Sequence, residues 1–393
     1  MRNLSISAGL RSIAAGVIAL CLPLSGYCDV PATLPEPGGN VSIPEKPPGA
    51  HWVWIADYQW GNYGRSILYD ADHGKLLGMI DTGWEGARLV WSDKEIYNAA
   101  MFMSRGFRGE RTDVVTAYDP HTLSPLRELV VPPKTIRGFQ DLNHFSLTDD
   151  HRFMLLQMLS PASSVGVVDV TANRYLGEIE TAGCINTMPA GSHRFFAMCG
   201  DGSLLSVTLG DDGKEASRKR YPEFFDADAD PLHESAVRSG DIWYFVSHRG
   251  QVRAVDVSGA NFKFLPRWSV AATEGSVTWI PGQPMQNLAV HHARQKLYVL
   301  MHASDLKPKL SGIDFHRQPG TEVWVFDLKS KRREQHLPLK YLVDSIAVSQ
   351  DDAPLLYASS MYHFAFTAQE AASGKLIWEL PFPSYPNIIQ PVD

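Results

Sequence analysis

One pattern recurs through this chain and limits what it can fold into: a hairpin with alternating apolar residues on both arms, then a strand ending in Asp or an equivalent polar turn, then a further strand. The strand–Asp junctions read Ile67-Leu68-Tyr69-Asp70, Val115-Thr116-Ala117-Tyr118-Asp119, Gly166-Val167-Val168-Asp169, Val252-Arg253-Ala254-Val255-Asp256 and Val323-Trp324-Val325-Phe326-Asp327. Two degenerate copies, 204–209 before Gly210-Asp211 and 364–368 before Gln369-Glu370, bring the number of units to seven. Hairpins precede units two to seven at 88–99, 145–156, 184–199, 235–246, 288–300 and 345–358, most of them turning on Ser, Asp or Gly. Alternation at period two sends successive side chains to opposite faces of a strand, and helical periodicity is almost absent. A four-stranded unit repeated every roughly 40 to 50 residues buries both its faces only by stacking on copies of itself. The expected architecture is therefore an all-β, seven-bladed β-propeller of four-stranded blades over residues 51–393.

The first unit departs from the repeat. Residues 29–50 form a Pro- and Gly-rich arm that cannot supply an innermost strand beside His51 to Ala56, whereas the chain ends in an orphan apolar segment, Ile388 to Val392. Pairing the two would close the ring by joining N- and C-terminal strands and remove an exposed sheet edge. Residues 1–28 are different again: Arg2 and Arg11 without an acid, an apolar run from Ile13 to Leu24, then Ser25-Gly26-Tyr27-Cys28. This is the pattern of a signal peptide, and no later stretch approaches the roughly 18 apolar residues of a membrane span. The expected protein is exported without membrane insertion.

Export decides how the cysteines are read. Removing 1–28 takes away Cys21 and Cys28 and leaves Cys184 and Cys199 in a compartment where disulfides persist. The intervening segment is a hairpin centred on Gly191-Ser192, which sets the two cysteines opposite each other, where Cβ atoms lie about 4.5–5.5 Å apart. A disulfide is expected; two buried free thiols are the alternative.

A net charge of −7 with no basic stripe excludes a nucleic-acid partner. The sequence holds no GxSxG, GxxxxGK[ST], HExxH or CxxC motif. His291 and His292, with His302 nearby, are the densest imidazole group, but adjacent strand residues point to opposite faces and cannot share one metal. The alternating Asp226, Asp228 and Asp230 lack the Gly and distal Glu of a calcium loop and read as a solvated turn. No metal site is expected.

Less generic segments carry a family signal: Arg108-Gly109-Glu110-Arg111-Thr112-Asp113, Ser160-Pro161-Ala162-Ser163-Ser164-Val165-Gly166-Val167-Val168-Asp169, Cys199-Gly200-Asp201-Gly202-Ser203-Leu204, Lys263-Phe264-Leu265-Pro266, Pro281-Gly282-Gln283 and Ser345-Ile346-Ala347-Val348-Ser349-Gln350-Asp351. Together they resemble the heavy subunit of the bacterial amine dehydrogenases, the methylamine and aromatic amine enzymes, over about residues 51–393. The resemblance implies a periplasmic α2β2 heterotetramer that oxidises primary amines to aldehyde and ammonia. It places the tryptophan tryptophylquinone and the catalytic base in the light subunit, with no cofactor or catalytic residue in this chain, and sends electrons on to an amicyanin- or azurin-like copper protein. The heavy chain is then scaffold, docking surface and part of the substrate channel. An aromatic gate in the first unit corresponds to Trp60, with Tyr63 as its neighbour; the methylamine enzymes carry Phe there, so the departure bears on substrate size.

Arg105, Arg108 and Arg111 form the strongest local charge concentration. Their functional reading is a light-subunit contact, since the guanidinium fork suits partner recognition; pairing within the chain to Glu110 or Asp113 is the competing one. A self-sufficient propeller hydrolase or lactonase, or a periplasmic scaffold without an enzymatic partner, are the alternative functions.

Overall fold

The computed structural model describes residues 42–58, 62–86, 88–136, 142–282, 285–304, 318–382 and 385–392. The expected signal peptide, the first part of the arm and Trp60 lie outside the described residues. Every regular element described is a strand, and the strands form seven antiparallel sheets, one per blade of a β-propeller. Blade 3 is representative: Phe145–Leu147 innermost, then Phe153–Met158, Ser164–Asp169 and Arg174–Glu180 outermost. Its middle strands are buried along their whole length while the outermost is exposed or half-buried except at Ile179, because the outer edge of a blade is not covered on both faces. Apolar clusters fill the seams between blades. One joins blades 4 and 5 through Phe196, Trp243, Phe245, Phe224 and Phe262, with Phe196 meeting Trp243 and Phe262 edge-on at ring centroids of 5.8 and 5.3 Å.

Two blades depart from the simple repeat. In blade 5 the outer strand is split into Lys263–Phe264 and Trp268–Ser269, with Pro266, which has no N–H to give to a ladder, between the pieces. Blade 6 gains a hairpin, Ala272–Glu274 with Val277–Pro281, which pairs with the far end of Lys296–Ala303.

The ring closes as the orphan segment requires. Tyr385–Val392 is the innermost strand of blade 1 and pairs antiparallel with Trp52–Tyr58, Trp54 facing Gln390 and Ile55 facing Ile389. Side-chain amides clamp it on both sides. From blade 6, Gln286 Nε2 donates to Ile389 O (3.0 Å) and Gln286 Oε1 accepts the Ile389 N–H (2.6 Å). Toward blade 2, Gln390 Nε2 donates to Leu89 O (2.8 Å) and its Oε1 accepts the Leu89 N–H (3.0 Å). Ser345 Oγ of blade 7 adds a bond to Asn387 O (2.5 Å). All three groups are buried, so losing a partner would strand polar atoms away from water.

Cys184 and Cys199 face each other across the innermost pair of blade 4 and are disulfide-bonded. The hairpin is less symmetric than its sequence suggests. Ladder register shifts by one residue between Ile185 and Met188, and Asn186 takes the left-handed conformation (φ 79°). That bulge lets Thr187 turn its N–H onto Asn143 O of blade 3 (2.7 Å), tying two inner strands together.

Two titrating groups flank the closure, His51 on the seam itself and Asp344 next to Ser345, which bonds the closing strand. His51 bridges blade 1 to blade 7: its Nδ1 lies 2.6 Å from Asp72 Oδ1 and its Nε2 3.2 Å from Asp351 Oδ2. Burial alone would lower its pKa, but the two carboxylates outweigh burial and raise it above the ordinary value of 6.5. Asp344, just before the blade 7 inner strand, is pushed up to about 8 by burial, against the opposing Met361 N–H bond. The His51 contribution is complete below the unfolded-state pKa and is lost as pH rises through the raised folded one. For Asp344 a penalty grows once pH exceeds the ordinary value of 3.8 and levels off near 8. Both push stability down as pH rises.

Deleting residues 386–393 should lower the melting temperature by more than about 10 °C and promote aggregation, because it removes the closing strand with its clamps and bares the edge of Trp52–Tyr58; an unchanged melting curve would contradict the closure. Urea unfolding at about pH 5.5 and about pH 8.5 should show His51→Asn losing more stability at the lower pH, and Asp344→Asn gaining relative to wild type at the higher one. Equal differences at both values would remove these groups from the closure.

Candidate functional site

Blade topology assigns the loops to faces. Each innermost strand begins, and each second strand turns into the third, on one and the same side of the disk. The connections 105–108, 159–163, 200–203, 248–250 and 361–364 therefore share a face with Tyr58, Tyr63 and the entries to the inner strands. Those entries carry a buried polar collar: Asn143, Asn186, Gln286, Asp344 and Asn387.

One element stands out from this face. The middle strands of blade 2, Ile96–Arg105 and Arg108–Tyr118, have 10 and 11 residues, against 6 in the corresponding strands of blades 3 and 4. Four further residues extend a hairpin by roughly 13 Å. Burial falls away along Ile96–Arg105 until its last two residues are exposed, as expected of a hairpin leaving the blade stack. Its tip is the two-residue turn Gly106-Phe107 between paired Arg105 and Arg108. Gly106 has φ 66°, a conformation that a tight hairpin turn demands of its first central residue and that glycine adopts without cost.

Tyr63 of blade 1 is joined to this hairpin. Its hydroxyl donates to Gly106 O (3.1 Å), its ring stacks on Phe102 (centroids 6.1 Å apart) and meets Trp84 edge-on (5.9 Å). Trp84 in turn holds Phe107 edge-on at 5.2 Å, yet Phe107 remains 61% exposed. The residues expected to line a channel and those expected to dock a partner thus belong to one cluster, as far as Tyr63 and the hairpin are concerned. Trp60, the other expected channel residue, lies outside the described residues. Trp84, Phe102 and Phe107 were not singled out by the sequence; the signal available was the unusual length of alternation from 96 to 118 and an aromatic residue set in a Gly-rich turn.

The three arginines separate. Arg105 and Arg108 are exposed and, among the described residues, paired with no carboxylate. Arg111 grips the fully buried Asp113 through two 2.7 Å bonds and also donates to Thr135 O (2.6 Å). Residues two apart on a strand share a face, and a buried carboxylate needs a counter-charge, so Arg111 is held by the intramolecular pairing that competed with docking.

Other sequence candidates have structural duties. His291 Nε2 donates to Asp351 O (2.9 Å) and its Nδ1 accepts the Arg294 N–H (3.2 Å), while His292 is exposed, which places the adjacent imidazoles on opposite sides of the chain. His302 Nδ1 lies 2.9 Å from Ala303 O. Asp226 caps its own turn by accepting the N–H groups of Asp228 and Ala229, and Asp230 accepts from Ser247 Oγ and the Arg249 N–H. Among the described residues no three His, Cys, Asp or Glu side chains converge as a metal site would need. Ser360 Oγ lies 3.1 Å from His363 Nδ1, but the same oxygen accepts the His363 N–H (3.1 Å), which is the geometry of a local turn. The nearby Asp344 carboxylate bonds the Met361 N–H instead of orienting that imidazole as a hydrolytic triad would.

A cavity of about 410 Å³ occupies the central channel, reached by Arg88, Asn143, Gln286, Gln390 and, at its other end, Trp91, Asp149, Arg238 and His292. Arg238 and Asp149 satisfy each other there through bonds of 2.6 and 2.9 Å.

Comparison with known proteins agrees with this arrangement. Residues 51–383 match the model of the methylamine dehydrogenase heavy chain family. The chain is 29% identical over 342 residues to the methylamine dehydrogenase heavy chain of Methylorubrum extorquens, covering 85% of this chain and 81% of that one. It is 31% identical over 314 residues to the heavy chain of Methylophilus methylotrophus, covering 78% and 75%. Among solved structures, a putative 6-phosphogluconolactonase from Bacteroides fragilis aligns with a TM-score of 0.56 at 12% identity over 89% of this chain and 100% of that one, a likeness of fold alone. The match across the propeller, with relatives that carry the same heavy-chain name, shows that this chain belongs to the methylamine dehydrogenase heavy chain family.

Proposed function

We propose that this chain is the heavy subunit of a periplasmic, quinone-dependent amine dehydrogenase that oxidises a primary amine to aldehyde and ammonia. The observation that carries the reading is the family match over residues 51–383, combined with a projecting hairpin on the face that bears Tyr63. In this reading the light subunit holds the tryptophan tryptophylquinone, built from its own side chains, and that group supplies the electron sink for amine oxidation. Three of the described tryptophans have structural duties. Trp243 Nε1 donates to Pro189 O (3.0 Å), Trp324 Nε1 to Glu322 Oε2 (2.8 Å), and the indole of Trp378 packs over Gly74, where a side chain would collide with it. They are core and seam groups, which fits a cofactor housed in the partner.

The contribution of this chain is then mechanical and electrostatic. The closed ring holds the loop face rigid. Arg105 and Arg108 present unpaired positive charge to the light subunit, and Tyr63 lines the approach of the amine beside that contact. Assembly is α2β2, and electrons leave the complex to an amicyanin- or azurin-like copper protein.

Purified alone, the heavy chain should reduce no dye acceptor when given primary amines, while the complex co-expressed with a short, Cys-rich exported protein from a neighbouring reading frame should turn over. Turnover by the isolated chain would reassign the chemistry to the propeller itself; the lack of any such neighbour would favour a scaffold.

A further inference from the structure

The blade 2 tip has the make-up of an interaction hot spot. A large aromatic ring on a soluble protein is usually covered, and aromatic and Arg side chains dominate the energetic centre of protein interfaces. Phe107 is 61% exposed, yet it is not loosely held: Trp84 grips one edge, Gly106 and the paired Arg105 and Arg108 fix its backbone, and Tyr63 bonds Gly106 O. A ring pre-positioned in this way loses little rotamer freedom when a partner covers it. The flanking charges specify the partner further. With Arg105 and Arg108 closing the turn that carries the ring and no carboxylate of the described chain on either, the complementary surface is an apolar pocket with carboxylates at its rim.

We propose that Phe107 is the anchor by which this chain holds the light subunit, that Arg105 and Arg108 steer the encounter, and that Tyr63 is a positioning residue that sets the tip through its bond to Gly106. The inference rests on the proposed heavy-subunit function and adds to it the residue that carries binding. It also gives Tyr63 a second role: because one side chain both faces the substrate approach and braces the docking tip, the seated partner and the first-blade aromatic wall are fixed relative to each other.

The test uses the full heavy chain and the light subunit encoded beside it, with affinity measured by sedimentation and the isolated heavy chain melted in parallel. Phe107→Ala should weaken association by at least about 30-fold, the loss expected of a hot-spot side chain, and leave the melting temperature of the isolated chain unchanged. Arg105→Ala with Arg108→Ala should slow association and flatten its dependence on salt. Tyr63→Phe, which keeps the ring and removes the bond to Gly106, should weaken binding several-fold without changing melting, whereas Leu126→Ala, at another exposed apolar residue, on an outer strand, should leave binding unchanged. Wild-type affinity for Phe107→Ala would overturn the proposal while leaving the heavy-subunit reading intact. Failure of the wild-type chains to associate would sink both. Self-association of the heavy chain that is abolished by Phe107→Ala would assign the tip to a second copy of this chain instead.

Discussion

The structure depends on one pairing, that of Tyr385–Val392 with Trp52–Tyr58. A ring of sheets that stack only on their neighbours has two loose ends, and the last seam to form must repay the entropy of bringing the chain termini together over more than 300 residues. Backbone ladder bonds do part of this. The amides of Gln286 and Gln390 continue the ladder sideways, one reaching from blade 6 and the other into blade 2, so that with Ser345 of blade 7 the closing strand is bonded to three blades besides its own. Because those amides are buried, the seam is all-or-none: a partly inserted strand would leave several polar groups dry and unpaired.

Closure of this kind makes the disk a rigid platform and frees the loop face to vary. Variation is concentrated there. Blades 3 and 4 keep short, buried middle strands, while blade 2 extends the same hairpin until it leaves the core. Its stem is fixed by the Arg111–Asp113 pair and Thr135, and its tip by Tyr63 and Trp84 from blade 1. A hairpin braced by two blades holds its end residues more firmly than a loop of equal length, which is what a contact surface needs.

Much of this was legible in the sequence, for identifiable reasons. Period-two alternation and Asp-ended junctions report strands directly, so the seven units, their hairpins and the missing first strand could be read. The opposed cysteines could be read too, since hairpin symmetry sets cross-strand neighbours. Local accommodations could not. The bulge at Asn186 exists because Thr187 bonds to blade 3, a neighbour remote in sequence, and the added hairpin of blade 6 pairs with a strand that already had partners. At the candidate site the arginines were visible as a cluster, but only the fold distinguishes Arg111, which shares a strand face with a buried carboxylate, from Arg105 and Arg108, which sit beyond the end of the blade. Phe107 was legible as a member of the Arg- and Gly-rich loop, but its exposure and its contact with Trp84 depend on how far the hairpin projects, which only the fold shows.

In a repeat protein a residue's fate follows its position in the unit, so the same Phe that would be buried at a middle-strand site becomes exposed once its strand outgrows the stack. Exposure of such a ring forgoes the apolar burial it would have had in a middle strand. Here the apolar cost is reduced by the edge-on contact with Trp84, and the exposed Arg105 and Arg108 keep the turn polar around a ring that stays mostly uncovered. The exposed aromatic and charged groups of this face therefore sit where the repeat is broken: the geometry of closure fixes the platform, and the length of one hairpin decides which side chains leave the core.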